Sequence, residues 1–325
     1  MKNDTRFIIM IIALIVALGG LLMGFDASVI SGAVKFIETD FSLTKLELGW
    51  SVASLTLSST LAMMVAGPVS DALGRRTVLR IAAVLYAISA IGSAFAPTFL
   101  LLVIARMVGG LGVGASLILA PMYIAEIAPP KMRGRLVSFN QLNIVIGISL
   151  AFFTNYLILQ WGKSGADWAL NWGLDQHQWR YMLGIETIPA VIYFFGLFFV
   201  PRSPRWLLMK GQYEEAVKIM KRYTSEETAH AEIERIKTAM QNKTKKKEGQ
   251  FSDLFKPGLK LVLLIGVVVA VLQQITGINS VFFYAPMIFE QSGIGTDASF
   301  VQAILVGLVN IVFTVAALLL IDKLG

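Results

Sequence analysis

"RFIIMIIALIVALGGLLMGFDASVISGAVK", residues 6–35, carries one charge between its flanking Arg6 and Lys35, the carboxylate of Asp26. A run this long and apolar exceeds the roughly 20 helical residues that cross a bilayer core of about 30 Å. No water reaches a bare amide in hydrocarbon, so the segment is predicted to be a helix that bonds its own backbone. The rest of the chain follows the same pattern. It is 56% hydrophobic and 15% charged over 325 residues, with mean hydropathy +0.69, more apolar surface than soluble cores of this size absorb. Comparable runs lie near 7–34, 48–70, 81–105, 107–125, 136–160, 181–200, 261–289 and 298–321, which predicts eight spans. The short alternating segments of a membrane barrel are absent. The first run continues through Ile30 without a small-residue cleavage site, so a retained span is expected rather than a leader.

Charge placement predicts orientation. Of the 28 Lys and Arg, Lys35, Lys45, Lys163 and Arg180 fall in loops on one side, Arg106 is counted within a span, and all others fall on the side of the N-terminus. That bias places the N-terminus in the cytoplasm. The net charge of +7 therefore reports topology, and nucleic-acid binding is not expected. There is no Cys, hence no disulfide and no sulfur metal site, and no metal centre is expected. His177 and His230 are both assigned to loops, which excludes a histidine proton relay within the membrane.

Six spans follow one another closely. A polar segment, 201–260, separates them from the last two. Within it Tyr213, Ala216, Val217 and Met220, then Ile233, Ile236 and Met240, recur at helical spacing and predict two amphipathic helices. The run "KTKKK" (243–247) that follows is taken as a solvated linker near anionic lipid. Trp161, Trp168, Trp172 and Trp179 in loop 160–180 are expected to form an interfacial cap, with a sugar-contacting lid as the lesser alternative. "DALGRR" after the second span is echoed by "DKLG" at Asp322 after the eighth. This spacing suggests two parallel halves of six helices, with the chain a fragment, or an incomplete reading frame, of a protein of about twelve spans.

Three ionisable residues are assigned to spans: Asp26, Arg106 and Glu186. A charge at mid-bilayer costs at least about 2.5–3.5 kcal/mol, so the three should face inward and meet. Arg106, Gly110 and Gly114 share one helix face, a small-residue stripe suited to close helix approach. One reading is a permanent ion pair that locks two helices. The preferred reading is a working acid: with Arg106 beside it Asp26 holds its charge, and with Arg106 withdrawn the buried carboxylate takes up a proton.

Amides form a second group. Gln141 and Asn143 lie in the fifth span, Gln273, Gln274, Asn279 and Tyr284 in the seventh, and Asn310 in the eighth. Amides donate and accept, which suits a polyhydroxylated ligand. On a straight helix Gln274 and Asn279 point about 140° apart. Gly277 between them is expected to loosen the helix and let them converge. Two loop motifs, "GPVSDALGRR" (67–76) and "PMYIAEIAPPKMRGR" (121–135), mix acids with bases, which orientation alone does not require. Asp71, Arg75, Arg76, Glu126 and Arg133 are read as charged latches at the inner mouth. No phosphate loop or nucleophile elbow is present, and no enzyme activity is expected.

These motifs, together with "GFDASVISGA" (24–33), "ARMVGGLGVG" (105–114), "PRSPRWLL" (201–208) and "QQITGINSVFFYAP" (273–286), resemble the sugar porter family of the major facilitator superfamily, its bacterial xylose–proton symporters most closely. The resemblance implies an all-α membrane protein of two six-helix bundles. Here it implies an N-terminal bundle (1–200), a cytoplasmic helical linker (201–260) and the first two helices of an incomplete second bundle (261–325). It assigns Asp26, Arg106 and Glu186 to proton coupling. It assigns Gln141, Gln273, Gln274, Asn279 and Asn310 to sugar hydroxyls, and Tyr284 joins them. Arg135 and Arg205 extend the latch. Passive relatives carry an amide at the Asp26 position, which favours symport. One departure is Arg202, where the family has an acid, and repulsion from nearby arginines is expected to loosen the inner gate.

The expected protein imports a pentose or hexose such as xylose or glucose by proton symport. It uses no cofactor beyond the proton and works as a monomer in the inner (plasma) membrane. Its partners are the sugar and the lipid bilayer. The alternatives are an uncoupled facilitator and a non-transporting sugar sensor.

Overall fold

The computed structural model describes residues 3–129, 132–222, 226–245 and 257–324, and every regular element among them is a helix. In chain order these are α1 (Asn3–Asp40), α2 (Lys45–Leu73), α3 (Arg75–Ala94), α4 (Phe99–Ile127), α5 (Arg133–Lys163), α6 (Asp167–Asn171), α7 (Gln178–Gly184), α8 (Thr187–Phe199), α9 (Pro204–Met209), α10 (Tyr213–Lys221), α11 (Glu226–Lys245), α12 (Pro257–Ile275), α13 (Ile278–Gln291) and α14 (Thr296–Leu324). Eight stretches are long and apolar enough to span a membrane, the sixth made of α7 with α8 and the seventh of α12 with α13.

The predicted third and fourth spans, 81–105 and 107–125, are corrected. The break falls at Phe95–Thr98, where Pro97 cannot continue a helix and Thr98 caps the next one by accepting from the Leu101 amide. Arg106 is therefore well inside α4, two turns from its start. The sixth span is interrupted at Ile185–Glu186. Pro189 has no N–H to give the Ile185 carbonyl, which instead accepts from Ile188, 3.1 Å. His230 lies within α11 rather than in a loop. Both predicted amphipathic helices form, as α10 and α11, and a short α9 precedes them. Of the "KTKKK" run, 246 and 247 lie outside the described residues, as do Gly325 and the Asp322 side chain of the "DKLG" echo.

The core of α1–α8 has two layers. Near the chain's N-terminus, α1, α3, α4 and α8 pack with Leu207, Ala216, Val217 and Ile233 of the linker helices. At the opposite end, α1, α2, α5 and α7 close around Phe25, Ile30, Ile37 and Trp179. Trp161, Trp168 and Trp172 are exposed there, as a cap would be. Trp179 is not part of that cap: it is buried, and its indole donates to Asp40, 2.8 Å. α13 packs on α1, and α14 packs on α5 and α13, whereas α12 is exposed along nearly its whole length.

α1 and α5 approach to backbone contact. A Cβ at Gly24 would strike the Ile144 carbonyl, and one at Gly147 the Leu21 carbonyl. Asn155 of α5 donates to the Val29 carbonyl of α1, 2.9 Å. Adding a methyl at either glycine is predicted to destabilise the bundle by about 1–3 kcal/mol or more. Gly24→Ala and Gly147→Ala should each lower the thermal midpoint in detergent. Gly266→Ala in α12, where nothing lies within 4 Å, should be neutral or stabilising by up to about 1 kcal/mol.

Candidate functional site

Asp26, Arg106 and Glu186 come together between the two core layers, each no more than 2% exposed. Arg106 is held by two helices. Its Nε donates to the Ser51 carbonyl of α2 at 2.9 Å, and its Nη1 reaches Asp26 Oδ1 at 3.4 Å. The second contact is long for a charge-assisted bond, which runs near 2.7–2.9 Å. The shorter hydrogen bond of the guanidinium is thus the one to α2. Glu186 stands at the α7–α8 break, within electrostatic reach of both Asp26 and Arg106. Asp26 Oδ2 and Glu186 Oε1 make no hydrogen bond among the described residues.

The small-residue stripe has the expected job. Gly110 and Gly114 lie against the α2 backbone at Leu55 and Ser59, which brings Ser51 within range of Arg106. Gly109 was not foreseen. A Cβ there would lie 3.0 Å from Asp26 Oδ2 and would also strike the Ser89 side chain, so this glycine leaves the carboxylate its space. Tyr86, Tyr193 and Ser116 add buried hydroxyls near the cluster, and Tyr193 rests on Gly19. Scattered serines and tyrosines in apolar helices carry no sequence signal that would single them out.

The amides divide. Gly277 adopts φ +71°, ψ 12°, the left-handed conformation that ends α12 and starts α13. Across that break Asn279 Nδ2 donates to Gln274 Oε1 at 3.0 Å. The predicted convergence therefore occurs. Gln273 is exposed beside them, and Tyr284 sits at a second kink, φ −124°, ψ 17°, ahead of Pro286. Gln141 is exposed on α5, and Asn310 is part-buried on α14. Asn143 turns inward and donates to its own helix at Phe139, 2.9 Å.

The charged motifs form a latch at the end of the bundle nearest the N-terminus. Arg75 pairs with Asp71 at 2.6 Å and with Glu126 at 3.3 Å, and it also donates to the Ser70 carbonyl at 3.1 Å. Ser203 donates to Glu126 while capping α9 by accepting from Trp206 N. Trp206 donates to the Asp71 carbonyl at 3.1 Å. Its ring lies 3.1 Å from where a Cβ of Gly74, φ +93°, would stand. These bonds tie α2, α3, α4 and α9 together. The Ser-Pro cap pattern at 203–204 was the available signal for Ser203.

Several latch assignments are corrected. Among the described residues Arg76 pairs with no acid. It donates to Val200 O at 3.0 Å, as Arg80 does to Leu197 O at 3.1 Å, so the two cap the carbonyl end of α8. Arg133, Arg135 and Arg205 are exposed and make no ion pair among the described residues, because Arg75 and Ser203 already occupy Glu126. Arg202 does not repel the latch. It turns outward to Glu215 of α10, 3.4 Å.

Arg75 and Glu126 are both about 95% buried, so removing one strands the other. Glu126→Ala is predicted to destabilise the protein by about 3 kcal/mol, the lower end for a broken buried pair, because Asp71 still faces Arg75. Arg205→Ala should change stability by less than about 0.5 kcal/mol. Thermal unfolding of the two variants in detergent checks both.

Residues 12–325 match the family model described as sugar (and other) transporter. The chain is 40% identical to the arabinose-proton symporter of Bacillus subtilis over 100% of its own length and 68% of that protein. It is 38% identical to the D-xylose-proton symporter of Escherichia coli over 97% of its length and 67% of that protein. It superposes with TM-score 0.85 and 37% identity on the major facilitator superfamily proton:xylose symporter XylE bound to 6-bromo-6-deoxy-D-glucose, covering 99% of this chain and 70% of that one. The chain thus spans about two thirds of the length of these relatives. On the strength of the match along its whole length and of the shared helical architecture, the chain belongs to the sugar (and other) transporter family of the major facilitator superfamily.

Proposed function

We propose that this chain serves proton-coupled uptake of a monosaccharide by alternating access. The observation that carries the proposal is the buried cluster of two carboxylates and one guanidinium. Two acids against one base leave a surplus negative charge in a dry site, which is costly. A proton on one carboxylate removes that surplus. In the proposed cycle Asp26 takes a proton when Arg106 withdraws from it, and releases that proton when Arg106 returns. Glu186 sets the charge balance of the pair. The Ser51 carbonyl, which already accepts from Arg106 Nε, keeps a hydrogen bond to the guanidinium when it leaves Asp26.

Sugar binding is assigned to Gln141, Gln273, Gln274, Asn279, Tyr284 and Asn310. The joined amides of Gln274 and Asn279 offer a donor and an acceptor at a helix break, where unwound backbone is tolerated beside a cavity. The named substrates of the relatives, arabinose and xylose, are pentoses, and the ligand of the solved neighbour is a hexose derivative. The substrate class proposed here is accordingly a pentose or hexose. Residues 1–200 form the proposed N-terminal bundle, 201–260 its cytoplasmic linker, and 261–325 the start of the second bundle. The basic face and N-terminus are placed in the cytoplasm, the chain in the plasma membrane, and the working unit is a monomer.

Uptake of labelled D-xylose and D-glucose into proteoliposomes carrying the full reading frame tests this, with and without an inward proton gradient. Accumulation above equilibrium only with the gradient is expected, and equal levels in both conditions would make the protein a facilitator. Asp26→Asn should abolish accumulation yet spare sugar-for-sugar exchange. Accumulation that survives the change removes Asp26 from coupling. Gln274→Ala should weaken sugar binding about tenfold, the worth of a lost hydrogen bond or two, read as a raised Kd with the proton dependence intact.

A further inference from the structure

Two ion pairs join the first bundle to the α13–α14 hairpin at the face opposite the N-terminus. Lys35, near the end of α1, meets Glu290 of α13 at 2.5 Å, and Thr296 Oγ1 donates to the same carboxylate at 2.5 Å. Lys163, the last residue of α5, meets Asp297 of α14 at 2.7 Å, and Gln160 donates to that acid at 3.0 Å. Both cations belong to the bundle, and both anions flank the hairpin turn. Below them α14 stays against α5 as far as Gly307, where a Cβ would stand 2.8 Å from Ser149 Oγ.

The basic face has no counterpart. Among the described residues, no ion pair or side-chain hydrogen bond joins α1–α9 to α12–α14 there. The pairs also explain an anomaly in charge placement. Lys35, Lys45, Lys163 and Arg180 are the basic residues that break the charge bias, and each has a partner. Lys45 pairs with Glu38 at 2.6 Å, and Arg180 donates to the Ala94 and Ala96 carbonyls at 3.0 and 2.8 Å. Only Lys35 and Lys163 reach across to the hairpin.

We infer that Lys35–Glu290 and Lys163–Asp297 are the clasps of the outer mouth, positioning residues that hold this chain closed to the outside and part when it opens. The inference rests on the alternating-access reading and on the orientation proposed above. All four side chains are between 26% and 56% exposed. Exposed pairs are weak, and each shifts a two-state balance by about two- to fivefold. A gate that opens in every cycle suits contacts of that strength, because a buried pair would hold one state too firmly.

The chain has no cysteine, so one introduced thiol reports cleanly. Ala303 is buried between α14, α5 and α13, below the clasps. Ala303→Cys should react slowly with a membrane-impermeant maleimide applied to right-side-out vesicles. Added to it, Lys35→Glu or Glu290→Lys should each raise that rate about two- to fivefold, and the exchanged pair Lys35→Glu/Glu290→Lys should restore it. Unchanged rates in both single variants would overturn the clasp. So would faster rates that the exchange fails to reverse, since that marks damage rather than a lost pair. A rate increase confined to inside-out vesicles would overturn the assignment to the outer mouth. The assay uses neither sugar nor a proton gradient, so its failure is separate from failure of the symport reading.

Discussion

Everything in this fold turns on bringing one carboxylate into the apolar middle of α1 without stranding it. Asp26 is tolerable there because Arg106 arrives from α4, and Arg106 is tolerable because α2 offers it the Ser51 carbonyl. Each of these contacts needs helices at backbone range. Glycines supply that range: Gly110 and Gly114 admit α2 to α4, Gly24 and Gly147 join α1 to α5, and Gly109 leaves the carboxylate its space. The small residues are thus part of the electrostatics, since they set which charges can meet.

The structure divides its contacts by strength. The latch at the basic face is largely buried, multiply bonded and built within α2, α3, α4 and α9, so it fastens those helices to one another. The contacts from the first bundle to α13 and α14 are of another kind, exposed ion pairs over a thin apolar seam. A strong interior with weak external joints is the arrangement in which two rigid parts can change their relation without losing their own packing. Linker helices α9–α11 sit on the latched side of that division, their apolar faces merged with the core of α1, α3, α4 and α8.

Much of this was legible along the chain. The eight spans follow from hydropathy, because a bilayer leaves the backbone no alternative to helix. The meeting of Asp26, Arg106 and Glu186 follows from the expense of a lone charge in hydrocarbon. The closing of Gln274 on Asn279 was foreseeable from Gly277, since only a break there cures their opposed phases. Other elements were not legible. The boundary at Pro97 was lost because apolar residues run across it. Arg133, Arg135 and Arg205 look like latch residues by motif and are solvated in fact. Arg202 looked repulsive until Glu215, thirteen positions away, was placed beside it.

The sequence by itself determined the class of molecule, the number of helices long and apolar enough to span a membrane, and the identity of the acids that must not be left alone. These depend on composition and on one-dimensional periodicity, which solvent alone interprets. Only the tertiary structure decided which partner each polar group takes. Arg75 chose Glu126, Arg76 chose a helix end, Trp179 left the interface for Asp40, and Lys35 found Glu290 across 255 positions. The reason is physical: burial tells a polar group that it must be satisfied, but which group satisfies it is settled by how closely the helices can approach.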